Sequence, residues 1–117
     1  MDVKEFVDAS LGALAQTGRF EGISWQEEGP IAKGLAHVPG DLFLRFYYNE
    51  TTGTIAFALI RGQARVWGID HDNLRGWHLH PVTDPADHVA IQPMSIQQII
   101  HHLNQVLADL SAPTPEA

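Results

Sequence analysis

The sequence predicts an α+β fold, an antiparallel meander sheet of four to six strands packed against an N-terminal and a C-terminal helix. Three observations carry this reading. Apolar residues recur at spacings of three and four near both ends of the chain. They alternate with period two, or run continuously, through the middle. The strand-like segments are separated by tight turns, and tight turns between consecutive strands force antiparallel pairing.

Residues 2–16 read as the first helix, with Val3, Phe6, Val7, Leu11 and Leu14 on one stripe and Lys4, Glu5 and Asp8 on other faces. Thr17-Gly18 closes it, because glycine suits the left-handed position after a helix. Phe20 to Gln26 and Ile31 to Val38 are weaker strands, bounded by Gly29-Pro30 and Pro39-Gly40. Leu42 to Tyr48 is rich in aromatic and aliphatic residues, with Leu42, Leu44, Phe46 and Tyr48 on one side and Phe43, Arg45 and Tyr47 on the other. Asn49 to Gly53 is a hairpin turn. Thr54 to Arg61 follows, placing Ile55, Phe57 and Leu59 together. Ala56 and Ala58 lie opposite, small enough for a helix to approach. Gly62-Gln63 turns the chain into Ala64 to Asp70, and Gly76 to His80 is a short extended piece within an otherwise polar loop over 71–94. Ser95 with Gln98 forms a capping box for the last helix, and Ile96, Ile99, Ile100, Leu103, Val106, Leu107 and Leu110 form one apolar stripe. Residues 1–110 are therefore expected to form one two-layer domain and 111–117 a disordered C-terminal tail.

The 117 residues contain 44% hydrophobic and 18% charged residues, enough apolar surface for one core and too little charge for a disordered chain. The formal net charge is −7, which gives no global field to attract nucleic acid. Contact with RNA would need a local patch, for which Arg45, Arg61, Arg65 and Arg75 are the candidates, although arginines spread along a sheet also serve as a solvated face. The absence of cysteine excludes disulfides, thiolate catalysis and cysteine zinc sites. No basic-then-apolar leader and no apolar run long enough for a bilayer is present, so a cytoplasmic protein without membrane contact is expected.

The chemistry-bearing residues crowd into Trp67 to Pro81 and His88. His78 and His80 are two apart, which in a strand points both rings to one side. Three uses fit. As acid and base, His78 and His80 would cleave RNA through its own 2′-hydroxyl, with Arg45, Arg65 or Arg75 as the phosphate cation and Tyr47 or Tyr48 bonding or stacking on a base. As ligands, His78, His80 and His88, with Asp70 or Asp72 as a fourth, would hold zinc or another divalent metal in a hydrolase site. As scaffold, His80 would cap the turn before Pro81 and His78 would pack beside Trp77, while Asp72-Asn73 and Gly76 supply turn chemistry. His101 is expected to be solvated and His102 to be a partly buried packing residue on the last helix. Trp77 is the indole to watch beside the imidazoles.

From Tyr47 to Leu110 the layout resembles the small toxins of the TumE type from toxin–antitoxin pairs. A tyrosine-rich strand and turn lead to Asp72-Asn73, then to the His78-x-His80 element, and finally to the serine-led helix from Ser95 to Leu110. The resemblance implies a growth-inhibiting protein held silent by an antitoxin partner, with RNA as the usual target of such toxins. The acid–base reading of the residues themselves gives His78, His80, Arg65, Arg75 and Tyr47 as the catalytic set, with no cofactor. The other readings are a non-enzymatic module that docks a partner on an exposed sheet edge, and the metal-dependent hydrolase. A homodimer is also compatible with an exposed edge strand.

Overall fold

The computed structural model of the chain describes residues 1–111. Helix α1 spans Val3–Thr17, followed by β1 Gly22–Glu28, β2 Ile31–Val38, β3 Leu42–Asn49, β4 Thr54–Arg61, β5 Ala64–Asp72, β6 Gly76–His80, β7 Val89–Ala90 and helix α2 Ile96–Ser111. The strands form one antiparallel sheet in the order β1-β2-β3-β4-β5-β6-β7. This is the expected α+β meander with seven strands rather than four to six. The addition is β7, two residues long, which the polar loop conceals because a strand this short has no periodicity to read. Ser111 is the last residue of α2 and not the first of a tail, and its hydroxyl donates to the Leu107 carbonyl. The expected tail otherwise lies outside the described residues.

Local chemistry sets the helix ends. The Asp2 carboxylate accepts from the Glu5 amide and the Glu5 carboxylate accepts from the Asp2 amide, a capping box at α1. Gly18 closes the same helix with φ 67°. Ser95 and Gln98 exchange the corresponding pair of bonds at α2, at 2.8 and 3.1 Å.

Both helices cover one face of the sheet. Leu44, Phe46 and Tyr48 of β3, Ile55, Phe57 and Leu59 of β4, and Trp67 and Ile69 of β5 point into a single core with Phe6 and Leu14 of α1 and Ile99, Ile100, Leu103 and Leu107 of α2. Phe6 anchors α1, its ring 4.9 Å from Tyr48, 5.8 Å from Phe57 and 6.3 Å from Phe46. Phe46 in turn crosses Gly34 of β2, where a Cβ would sit 2.2 Å from the ring, so this glycine is required by close packing. Trp67 anchors α2. Its indole N–H donates to His102 Nδ1 at 3.1 Å, and the two rings stack at 5.7 Å.

The opposite face is open. Ala56 and Ala58 lie on it, since they pair with Tyr47 and Arg45 on one side and Asp70 and Gly68 on the other. No helix covers them among the described residues. Their small size leaves a shallow floor instead. No helix of the described residues is long and apolar enough to cross a membrane.

Two predictions follow from this core. Ile100→Asp places an unpaired charge at a residue 2% exposed, and should cost roughly 3–5 kcal/mol in urea unfolding. His102 has a pKa below the ordinary imidazole value, first through burial and then through His101. Its stabilisation is therefore full above about pH 6.5 and lost as the pH falls through the lowered folded-state value. Unfolding midpoints measured at neutral and acid pH should show a smaller acid loss in His102→Asn than in the wild type.

Candidate functional site on the open sheet face

Strand pairing brings the candidate residues together. Asp70 of β5 pairs with His78 of β6, and Gly68 pairs with His80, so Asp70, His78 and His80 all project from the open face. The ring centroids of His78 and His80 are 5.2 Å apart. Both residues are buried. The chain from Pro81 to His88 curls back over them, and the exposed His88 lies 4.6 Å from His80 and 5.4 Å from His78, ring to ring.

Arg65 reaches this face through a β-bulge. Leu59 pairs with Trp67 but Ile60 pairs with Arg65, leaving Val66 as the extra residue. Strict alternation from Trp67 would turn Arg65 toward the helices. The bulge reverses it, as bulges beside functional sites do. The arginine stem then passes Gly68, where a Cβ would lie 3.2 Å from the Phe57 carbonyl, 3.4 Å from the His80 ring and 3.6 Å from Arg65 Cδ. The tight approach is to the Phe57 carbonyl, while the histidine and the arginine would meet that Cβ at ordinary contact distance. An isolated glycine in a strand is the sequence signal that marks such a place.

The hydrogen bonds define the proton positions. His78 Nδ1 lies 3.1 Å from the Gly76 carbonyl and His80 Nδ1 lies 3.0 Å from the Pro85 carbonyl. A carbonyl only accepts, so both Nδ1 atoms carry hydrogen and both Nε2 atoms hold the variable proton site. Those Nε2 atoms converge on one oxygen, Asp70 Oδ2, at 3.4 Å from His78 and 3.0 Å from His80. Arg65 Nη1 lies 2.9 Å from His80 Nε2 and 3.9 Å from Asp70 Oδ2. Neutral His80 therefore accepts from Arg65, and protonated His80 donates to Asp70. Each protonation state has its own partner.

Arg75 donates to His88 Nε2. The turn that presents Arg75 is built by Asp72, whose Oδ1 accepts from the amides of Leu74 and Arg75 at 2.9 and 2.7 Å. These two bonds, the larger being that of Arg75, hold the Asp72 carboxyl below its ordinary pKa. The two acids flanking His71 thus have separate duties. Asp70 belongs to the imidazole cluster and Asp72 to the turn.

Other candidates lie elsewhere. His71 and Trp77 project from the helix side of the sheet, 5.1 Å ring to ring, with His71 Nδ1 bonded to the Gly53 carbonyl. Trp77 is thus separated from the adjacent His78 by the sheet and borders the core. Tyr47 shares the open face, but Ala56 stands between it and Asp70, which puts it two strands away, about 10 Å. Its hydroxyl contacts Asn49 at 3.4 Å. His101 is exposed and His102 packs on Trp67.

A cleft of about 440 Å³ opens beside the cluster, lined by Arg45, Ile60, Gln63, Arg65, His80, Pro85, Ala86 and His88. His80 and His88 reach it, and His78 lies behind them against Asp70. Two arginines, Arg45 and Arg65, face the same space, a local concentration of positive charge in an acidic chain. His88 itself is held below the ordinary imidazole pKa, first by partial desolvation and then by the Arg75 guanidinium and the other two imidazoles. The shift favours its neutral form. No family model matches the sequence, and no curated protein and no solved structure matches the chain.

Arg75→Gln removes one of the charges that oppose protonation of His88. The His88 pKa should rise toward its ordinary value in an NMR titration, while the His102 value stays in place.

Proposed function

We propose that this chain is the toxin-like member of a toxin–antitoxin pair and cleaves RNA by histidine acid–base chemistry on the open sheet face. The observation that carries the reading is the placement of His80 Nε2 between a donor, Arg65, and an acceptor, Asp70, with the neutral His88 ring 4.6 Å away on the same cleft. The TumE-like layout of the chain from Tyr47 to Leu110 supports it.

In this reading Arg75 turns from His88 to the phosphate, and the freed Nε2 lone pair of His88 takes the proton of a ribose 2′-hydroxyl. The 2′-oxygen attacks the adjacent phosphorus, and the bond from phosphorus to the 5′-oxygen breaks. Protonated His80 delivers its Nε2 proton to that leaving oxygen. Arg65 and Arg45 bind the phosphate and offset the charge that builds on it. His78 is a positioning residue, which in its protonated form would donate from Nε2 to Asp70, and Arg75 opposes protonation of His88. The products are a 2′,3′-cyclic phosphate and a 5′-hydroxyl. No metal or cofactor takes part in these steps.

The outer edge of β1 favours a second contribution. Among the described residues Gly22–Glu28 pairs only with β2, and Trp25 on it is 46% exposed. An antitoxin that adds a strand here would meet an unpaired backbone edge with an aromatic anchor beside it.

Expression of the wild type should arrest growth, and purified protein should leave cyclic-phosphate ends on a single-stranded RNA oligonucleotide but leave its 2′-deoxy counterpart intact. His88→Ala, which removes an exposed side chain, and His80→Ala should each lower cleavage by about 10²-fold or more with circular dichroism unchanged. Undiminished cleavage or toxicity in both folded variants would remove the reading.

A further inference from the structure

We propose that His78, His80, His88 and Asp70 form a binding site for one divalent transition-metal ion of the zinc type. The first support is the tautomer. Both buried imidazoles spend their Nδ1 hydrogens on backbone carbonyls, Gly76 for His78 and Pro85 for His80. A backbone bond at one ring nitrogen is the arrangement that fixes the other as a metal ligand. The second is convergence. One nitrogen from each of the three histidines lies within 4.8 Å of the others. Asp70 Oδ2 adjoins two of the three, 3.4 Å from His78 Nε2 and 3.0 Å from His80 Nε2. Ligands about 2.0–2.1 Å from a tetrahedral zinc are about 3.4 Å apart, so the His78–Asp70 edge already has that length. Closing the rest requires movement of His88, which sits on the loop between β6 and β7.

The third support is what the neutral cluster leaves unsatisfied. With both Nδ1 atoms protonated, the Nε2 lone pairs face a carboxylate oxygen, acceptor against acceptor. Arg65 Nη1 donates to His80, but at 3.9 Å it is too far to bond Asp70 Oδ2. The second carboxylate oxygen, Asp70 Oδ1, is buried with no hydrogen-bond partner among the described residues. A cation at the centre answers all of these groups at once. The ligand set is imidazole and carboxylate without thiolate, which suits zinc, copper, nickel or iron better than magnesium or calcium. To admit the ion, Arg65 and Arg75 must release His80 and His88. Arg65 is about one-third exposed and has a route to solvent.

Occupancy would take the lone pairs that acid–base chemistry needs, so the ion would act as an inhibitor of cleavage. That consequence rests on the proposed function, whereas binding itself does not. The test uses the full chain stripped of metal by a chelator and dialysed. Zinc titration by calorimetry should give one ion per chain, and cobalt(II) should give the visible spectrum of a tetrahedral site. His88→Ala and Asp70→Asn should each weaken zinc binding by about tenfold or more, with folding checked by circular dichroism. The exposed position of His88 makes it the variant expected to fold in any case. Absence of stoichiometric binding to the folded wild type, or wild-type affinity in both variants, overturns the site. Cleavage by the metal-free protein is scored separately, so failure of the ion site and failure of the RNA-cleaving reading give different results.

Discussion

The two-residue alternation of paired strands is the constraint on which the rest of this molecule depends. In a meander, residues paired across neighbouring strands share a face, so each cross-strand row belongs wholly to the core or wholly to the open side. The row through Gly34, Phe46, Phe57 and Ile69 is packed under the helices. The row through Lys33, Tyr47, Ala56, Asp70 and His78 is its complement. Burying the aromatic row with Phe6, Ile99 and Leu103 therefore delivers Asp70 and the histidines to the other side. A slip of one residue between β5 and β6 would put imidazoles into the core and Trp77 on the surface. Core packing and site geometry are in this sense one requirement.

Within the open face, Asp70 organises the chemistry. Its carboxylate is largely buried and draws two imidazoles and one guanidinium around a single oxygen. A buried charge is costly unless partnered, and here two of the partners are imidazoles, whose own charge can change, while the Arg65 guanidinium stays positive. A site of this kind responds to whatever supplies positive charge, whether a proton on His80, the Arg65 guanidinium or a divalent ion. The proton shuttle and the metal site proposed above are two answers to the same electrostatic demand, and they exclude each other because they use the same lone pairs.

The overall acidity of the chain bears on partners rather than on the site. A net charge of −7 repels nucleic acid at long range. Arg45 and Arg65 on one cleft, with Arg75 on its neighbouring turn, reverse the sign locally. In the proposed RNA-cleaving reading, this arrangement suits one phosphate held at a point and not a long electrostatic track.

Much of the architecture was legible from the residues alone. The stripe from Ile96 to Leu110, the Ser95–Gln98 box and the tight turns after β3 and β4 specify helix, start signal and antiparallel hairpins through local chemistry. The common direction of His78 and His80 was legible too, because period two is a property of any strand. Three things were settled only by tertiary structure. The bulge at Val66 turned Arg65 toward the imidazoles, and alternation read along one strand gives no sign of where its partner skips a residue. The loop from Pro81 to His88 brought His88 onto the cluster, a closure between residues whose separation in the chain carries no periodic signal. The choice of face was the third. Ala56 and Ala58 look like a seat for a helix until the register shows that both helices lie on the side of Phe57, and that the small residues instead floor the face where the charged groups meet.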